Sequence, residues 1–159
     1  MILIGPDSPA LPDVRRLLDE HLADMFATSP AESVHALDHG ALAGPDITFW
    51  TARDDGGVLL GCGALKDLGT DEGEIKSMRT ARPARGRGIA ALILGRILDE
   101  AGQRGYHRLL LETGSQEFFA PARRLYARHG FVPCPPFAGY QPDPNSVFMA
   151  RSLLGGLAD

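Results

Sequence analysis

The chain has 159 residues, 44% hydrophobic and 23% charged, the balance of one folded domain over residues 1–159 rather than of a disordered tail. Its formal net charge of -4 argues against nucleic-acid binding, which shows a basic excess, and suits a cationic partner such as an amine. Two distant cysteines, Cys62 and Cys134, form neither a disulfide framework nor a zinc site. The start MILIGPDSPALPD lacks the pattern of a signal peptide, and no run nears the roughly 20 apolar residues of a membrane span, so the expectation is a cytoplasmic protein without a membrane partner.

Met1 to Ile4 is a short apolar run stopped by Gly5-Pro6 and suits an edge strand. Asp13 to Met25 places Val14, Leu17, Leu18, Leu22 and Met25 at helical spacing, with Pro12 and Asp13 marking the start. Ser29-Pro30 ahead of AESVHALD predicts a short second helix within 28–38, and His39 to Asp46 reads as a loop. Ile47 to Arg53 is rich in β-branched and aromatic residues, a strand. Asp54 to Gly57 turns the chain, and Val58 to Leu68 returns as the second strand of a hairpin. Glu74 to Arg82 follows as a third strand, so this half reads as an antiparallel meander.

The pattern then changes. Ala91 to Arg104 is an amphipathic helix ended by Gly105, Arg108 to Glu112 a buried strand, and Phe119 to His129 a helix closed by Gly130. Phe131 to Pro133 and Val147 to Arg151 are the last strands. The order β-α-α-β-β-β-α-β-α-β-β predicts an α/β (α+β) domain with a mixed, mostly antiparallel sheet flanked by helices.

Between the third strand, taken to Pro83, and the helix stands Arg85-Gly86-Arg87-Gly88-Ile89-Ala90. Glycines let the backbone approach an anion and aim N–H groups at it, the helix start adds its positive dipole end, and two arginines add charge. There is no Gly-Lys-Ser/Thr for a nucleoside triphosphate and no three-glycine dinucleotide fingerprint. A diphosphate is the expected ligand.

Arg85-x-x-Gly88-x-Ala90 resembles the Q/R-x-x-G-x-G/A signature of the GNAT superfamily of acetyl-CoA-dependent N-acetyltransferases. Leu125-Tyr126 followed by Gly130-Phe131 resembles that family's second signature, and the element order is similar. The ending, from Pro136-Phe137 through Tyr140, Asp143-Pro144 and Ser146 to Met149, looks like that of a group of small bacterial members. The resemblance implies acetyl-CoA as co-substrate, no metal, and an amine acceptor, either a small molecule or a peptide. It also implies a splay in the third strand that exposes main-chain N–H groups around Met78, Arg79 and Thr80. Many members carry an asparagine seven residues before the tyrosine. This chain has Phe119 there, so that contact is not carried over. Dimers are common in the family, so a homodimer is admitted.

Direct attack of an amine on the thioester needs a base, an oxyanion site and a proton for the leaving thiolate. The resemblance implies Tyr126 as the acid, since a phenol titrates near a thiol. For the base, Glu74 at the start of the third strand and Glu112 at the end of the next both qualify, with Glu74 slightly preferred. His35 and His39 are four apart, but Gly40 follows and no third ligand is evident, so no metal site is expected. The rival readings are an acyl-CoA sensor without turnover, in which both glutamates would turn away from the thiol, and a partner-binding protein whose glycine loop is only a turn.

Overall fold

A computed structural model describes residues 1–34 and 39–154. Seven strands form one sheet in the order β1-β2-β3-β4-β5-β7-β6: β1 (Leu3–Pro6), β2 (Ile47–Arg53), β3 (Leu59–Asp67), β4 (Glu72–Thr80), β5 (Arg108–Gly114), β6 (Val132–Pro133) and β7 (Ser146–Ser152). Among the described residues, only β4 and β5 pair in parallel. That is the pairing that requires a helical crossover, and α3 (Ile89–Gln103) supplies it. The other helices are α1 (Pro12–Thr28), α2 (His39–Leu42) and α4 (Ala120–Arg128). Among the described residues, no helix is long and apolar enough to cross a membrane.

The alternation of the strands splits the core into two layers. Trp50, Leu65, Ile75, Leu109 and Leu111 pack with Ile93, Leu94 and Ile97 of α3, and with Tyr126 and Phe131 at the α4 end. Phe49, Cys62 and Ala64 project from the other face onto Val14, Leu17 and Leu18 of α1 and Leu42 of α2. Helix α1 starts as expected, with Pro12 in its first turn and Asp13 at the positive dipole end.

Several boundaries differ from expectation. Strand β1 pairs with β2 through Gly5 and Pro6 rather than stopping at them, β4 begins at Glu72 and β5 runs on to Gly114. The region predicted as a second helix holds a single 3-10 turn at Ala31–Ser33, and the rest of it, 35–38, lies outside the described residues. The expected loop from His39 instead begins with the short α2, which inserts Leu42 beside α1. Strand β4 stops at Thr80, and Arg82–Ala84 is a 3-10 turn. Pro83 has no N–H to extend a ladder, so the strand ends before it.

Helix α3 lies close on β3 because Gly61 and Gly63 leave it room. A Cβ at Gly61 would meet the Arg79 carbonyl oxygen at 2.8 Å and Ile89 Cγ2 at 3.0 Å. Gly61→Ala therefore lowers stability by roughly 1–3 kcal/mol, read as a depressed Tm in scanning calorimetry. An unshifted Tm would refute this packing.

Candidate active site

The site begins where the sheet comes apart. Pairing of β4 with β5 runs from Glu72–Arg108 to Ile75–Leu111 and stops. On the other side, Ala64 faces Lys76 while Cys62 faces Arg79, so three steps along β4 oppose two along β3. This is a bulge. Ser77 sits in it at φ 56°, and its carbonyl accepts the Cys62 thiol at 3.4 Å. The distortion starts just ahead of Met78, Arg79 and Thr80, the residues expected to be exposed by a splay.

The glycine loop borders the cleft. Gly86 and Gly88 have φ 79° and 77°, the left-handed region that favours glycine. Gly88 caps α3 without a side-chain bond, which leaves the first-turn N–H groups without intrahelical partners. Ile89 is buried and pins the helix start. A groove of about 560 Å³ is lined by Arg85, Gly86, Gly88, Ile89 and Ala90, together with Met78, Arg79 and Thr80. Arg87 is exposed and does not line it.

Arg79 reaches the groove but sends its buried side chain to α1, with Nη2 2.6 Å from Asp24 and 4.0 Å from Glu20. Asp24 also meets Arg82 at 3.2 Å. Burial opposes charge on Asp24, yet the guanidinium of Arg79, reinforced by Arg82 and Arg85, holds its carboxyl below the usual range. One carboxylate thus fastens α1 to β4 and to the segment leading into the glycine loop.

A second cavity, about 120 Å³, continues past the bulge. Tyr126, Met78, His21, Phe119 and Ala122 line both spaces, so they mark the junction. Tyr126 projects from α4, is buried, and meets Phe131 edge-on at 5.7 Å. Burial raises its phenol well above the ordinary value, so it holds its proton at neutral pH. Phe119, where an asparagine is usual in the family, packs its ring against Gly114.

Glu74 and Glu112 both line this second cavity. Glu74 is buried, and its Oε2 accepts from Lys76 Nζ at 3.2 Å and from the Tyr140 hydroxyl at 2.8 Å. Lys76 Nζ also donates to the Tyr140 oxygen at 2.8 Å. Burial, then the charges of Glu74 and Glu112, push the Tyr140 phenol up. Glu112 Oε2 accepts from the Ser146 hydroxyl at 2.6 Å. Lys76, Tyr140 and His21 are site residues the sequence reading missed. A signal existed for Lys76, two residues from Glu74 and so on the same strand face. One existed for His21, which continues the Val14-Leu17-Leu18 stripe.

Burial, and secondarily Arg79, lower the His21 pKa from 6.5 to about 4, against the opposing effect of Asp24. The Cys62 thiol is pushed up to about 12 by burial, which leaves it unreactive. Among the described residues, no group of three or more His, Cys, Asp or Glu could hold a metal ion, and His35 lies outside those residues.

Comparison with known proteins agrees with this geometry. The family model described as "Acetyltransferase (GNAT) family" matches residues 14–131. The chain is 55% identical over 137 residues to the uncharacterized N-acetyltransferase YsnE of Bacillus subtilis, covering 86% of this chain and 90% of the relative. It is 46% identical to the uncharacterized N-acetyltransferase YedL of Escherichia coli, over 96% of both chains. It is 43% identical to a protein of Azospirillum brasilense named IAA acetyltransferase, over 96% of this chain and 98% of that one. A solved structure from Klebsiella pneumoniae, assigned as an acyl-CoA N-acyltransferase, superposes with a TM-score of 0.79 at 29% identity, covering 96% of this chain and 98% of the other. The fold is also shared with a GNAT acetyltransferase from Elizabethkingia anophelis with acetyl-CoA bound, at TM-score 0.66 and 18% identity, over 96% and 98% of the two chains.

The low His21 pKa has a consequence for stability. As pH falls through 6.5 the unfolded chain takes up a proton at this position, whereas the folded protein does so only near 4. Stability contributed by the neutral ring is therefore lost between about pH 6.5 and 4. Thermal melts of His21→Gln should lose less Tm across that window than the parent; parallel curves would refute the assignment.

Proposed function

The chain belongs to the GNAT acetyltransferase family and is an acyl-CoA-dependent N-acetyltransferase with acetyl-CoA as co-substrate, and from that premise we propose how its residues divide the work. The diphosphate lies against the main chain of Arg85 to Ala90, with Arg85 supplying charge and Arg87 a weaker, more distant contribution. The pantetheine arm follows Met78, Arg79 and Thr80 through the cleft, and the acetyl carbonyl meets main-chain N–H groups at the bulge. Preorganised donors of this kind are worth about 3 kcal/mol each in a transition state. The observation that carries the reading is the junction: Tyr126 and Met78 line both the loop-side groove and the glutamate-lined cavity.

A primary amine attacks the thioester directly. Its ammonium first gives a proton to a glutamate, directly or through a water. Both carboxylates already accept hydrogen bonds; we assign the proton to Glu112, which Ser146 meets with a neutral hydroxyl, and give Glu74, met by the Lys76 ammonium, the task of holding Lys76 and Tyr140 in place. The amine nitrogen bonds to the carbonyl carbon, and the C–S bond breaks as the tetrahedral intermediate collapses. Tyr126 protonates the departing sulfur and is reprotonated by the second N–H of the nitrogen. The products are the N-acetyl amine, free CoA and the proton left on Glu112.

A panel of primary amines, followed by release of free CoA thiol from acetyl-CoA, tests the activity. In the best acceptor, Tyr126→Phe should lower kcat by roughly 10²-fold with little change in CoA affinity by calorimetry. Undiminished turnover would remove the acid role. Arg85→Ala should weaken CoA binding by about tenfold, and unchanged affinity would move the diphosphate elsewhere.

A further inference from the structure

Past the last pair of the parallel ladder, Ile75 with Leu111, the two sides of the opening are built differently. Three positions further on, β4 carries Met78 and β5 carries Gly114, which has no side chain to fill the gap. Phe119, just ahead of α4, supplies the bulk there instead. A Cβ at Gly114 would run into Cδ2 of the Phe119 ring and meet Cε2 at 2.5 Å, so the ring is seated directly on glycine main chain. Phe118 meets it edge-on, with ring centroids 5.0 Å apart. Phe119 also lines both the loop-side groove and the glutamate-lined cavity. Of the side chains that share this property, Ala122 is small and Met78 is an unbranched thioether that adapts its shape. Tyr126 packs against Phe131, and His21 comes from α1. On the β5 side, Phe119 is the bulky group. The cavity beyond it, about 120 Å³, must hold the acyl group and the incoming amine together.

We propose that Phe119 is the acyl gauge of this enzyme: its ring, seated on Gly114 on the β5 side of the opening, admits acetyl and obstructs longer acyl chains. This rests on the thioester lying at the junction, as proposed above, and adds which side chain sets the size of the group transferred. With the carbonyl at the bulge, the acyl carbons point past Phe119 into the cavity. A methyl group takes little of that space. Each further methylene either presses on a ring already backed by main chain and by Phe118, or occupies volume that the amine needs. Packed surroundings resist an added methylene because neighbours cannot yield without leaving favourable rotamers.

Calorimetric affinities test the gauge without an acceptor. The ligands are CoA, acetyl-CoA, propionyl-CoA and butyryl-CoA, each referred to free CoA so that contacts with the rest of the cofactor cancel. The intact enzyme should bind butyryl-CoA at least about tenfold more weakly than acetyl-CoA. Phe119→Ala should close that gap to within about twofold, and Phe119→Leu should fall between the two. A merely structural role for the ring would weaken all four ligands alike and leave the ratio where it was. Butyryl-CoA bound by the parent as tightly as acetyl-CoA, or a folded Phe119→Ala that keeps the parent's ratio, overturns the gauge and leaves N-acetyl transfer standing. Should Phe119→Ala fail to fold, the ratio in Phe119→Leu decides. If the folded parent binds none of the four, the gauge falls together with the cofactor site it rests on.

Discussion

Everything at this site depends on two strands that begin as neighbours and then part. Four residue pairs join β4 to β5, ending at Ile75 and Leu111, and beyond them the β4 main chain is diverted by the bulge at Ser77. The gap lets one cleft contain main-chain donors, a buried phenol and two carboxylates without any of them leaving a regular element. Strand ends and helix starts hold position better than loops do. The glycine loop, Tyr126 and the two glutamates come from four separate parts of the chain, and the divergence leaves a channel between them.

The two walls of that channel differ in kind. On the loop side the lining is main chain, arginine and a helix start, suited to an anion. On the glutamate side two carboxylates, Glu74 and Glu112, line it together with Lys76. Tyr126 stands at the boundary, its phenol kept protonated by burial. Helix α1 closes both sides at once, held by the pairing of Asp24 with Arg79 and Arg82. Its His21 faces the boundary as a neutral ring, because burial and the nearby guanidinium disfavour a second positive charge there.

Much of this was legible in the sequence because it is local. The β-branched and aromatic content of Ile47–Arg53, the amphipathic pattern of α3 and the Arg85-x-x-Gly88-x-Ala90 turn each depend on neighbours within a few positions. The same holds for Leu125-Tyr126 ahead of Gly130-Phe131. What was not legible depends on distant partners. Ser77 is an ordinary residue for a strand, and its left-handed backbone comes from a register mismatch with β3, fifteen positions away. Tyr140 reaches Glu74 across 66 positions, and nothing near it in the chain announces that contact. The short α2 was missed because four residues give too little periodicity to separate a helix from a loop. Arg79 was expected to matter through its main chain, and its side chain proved to have a separate task on α1.

The bulge also says something about how this protein spends its stability. A serine in the left-handed region costs of the order of 1 kcal/mol or more, and strands that could go on zipping together stop after Ile75. A chain one residue shorter between Lys76 and Arg79 would have a regular register with β3 and no reason to veer from β5. It would be a flatter sheet with a narrower opening between β4 and β5. The bulge thus sets the regularity of the β3–β4 ladder against the opening between β4 and β5.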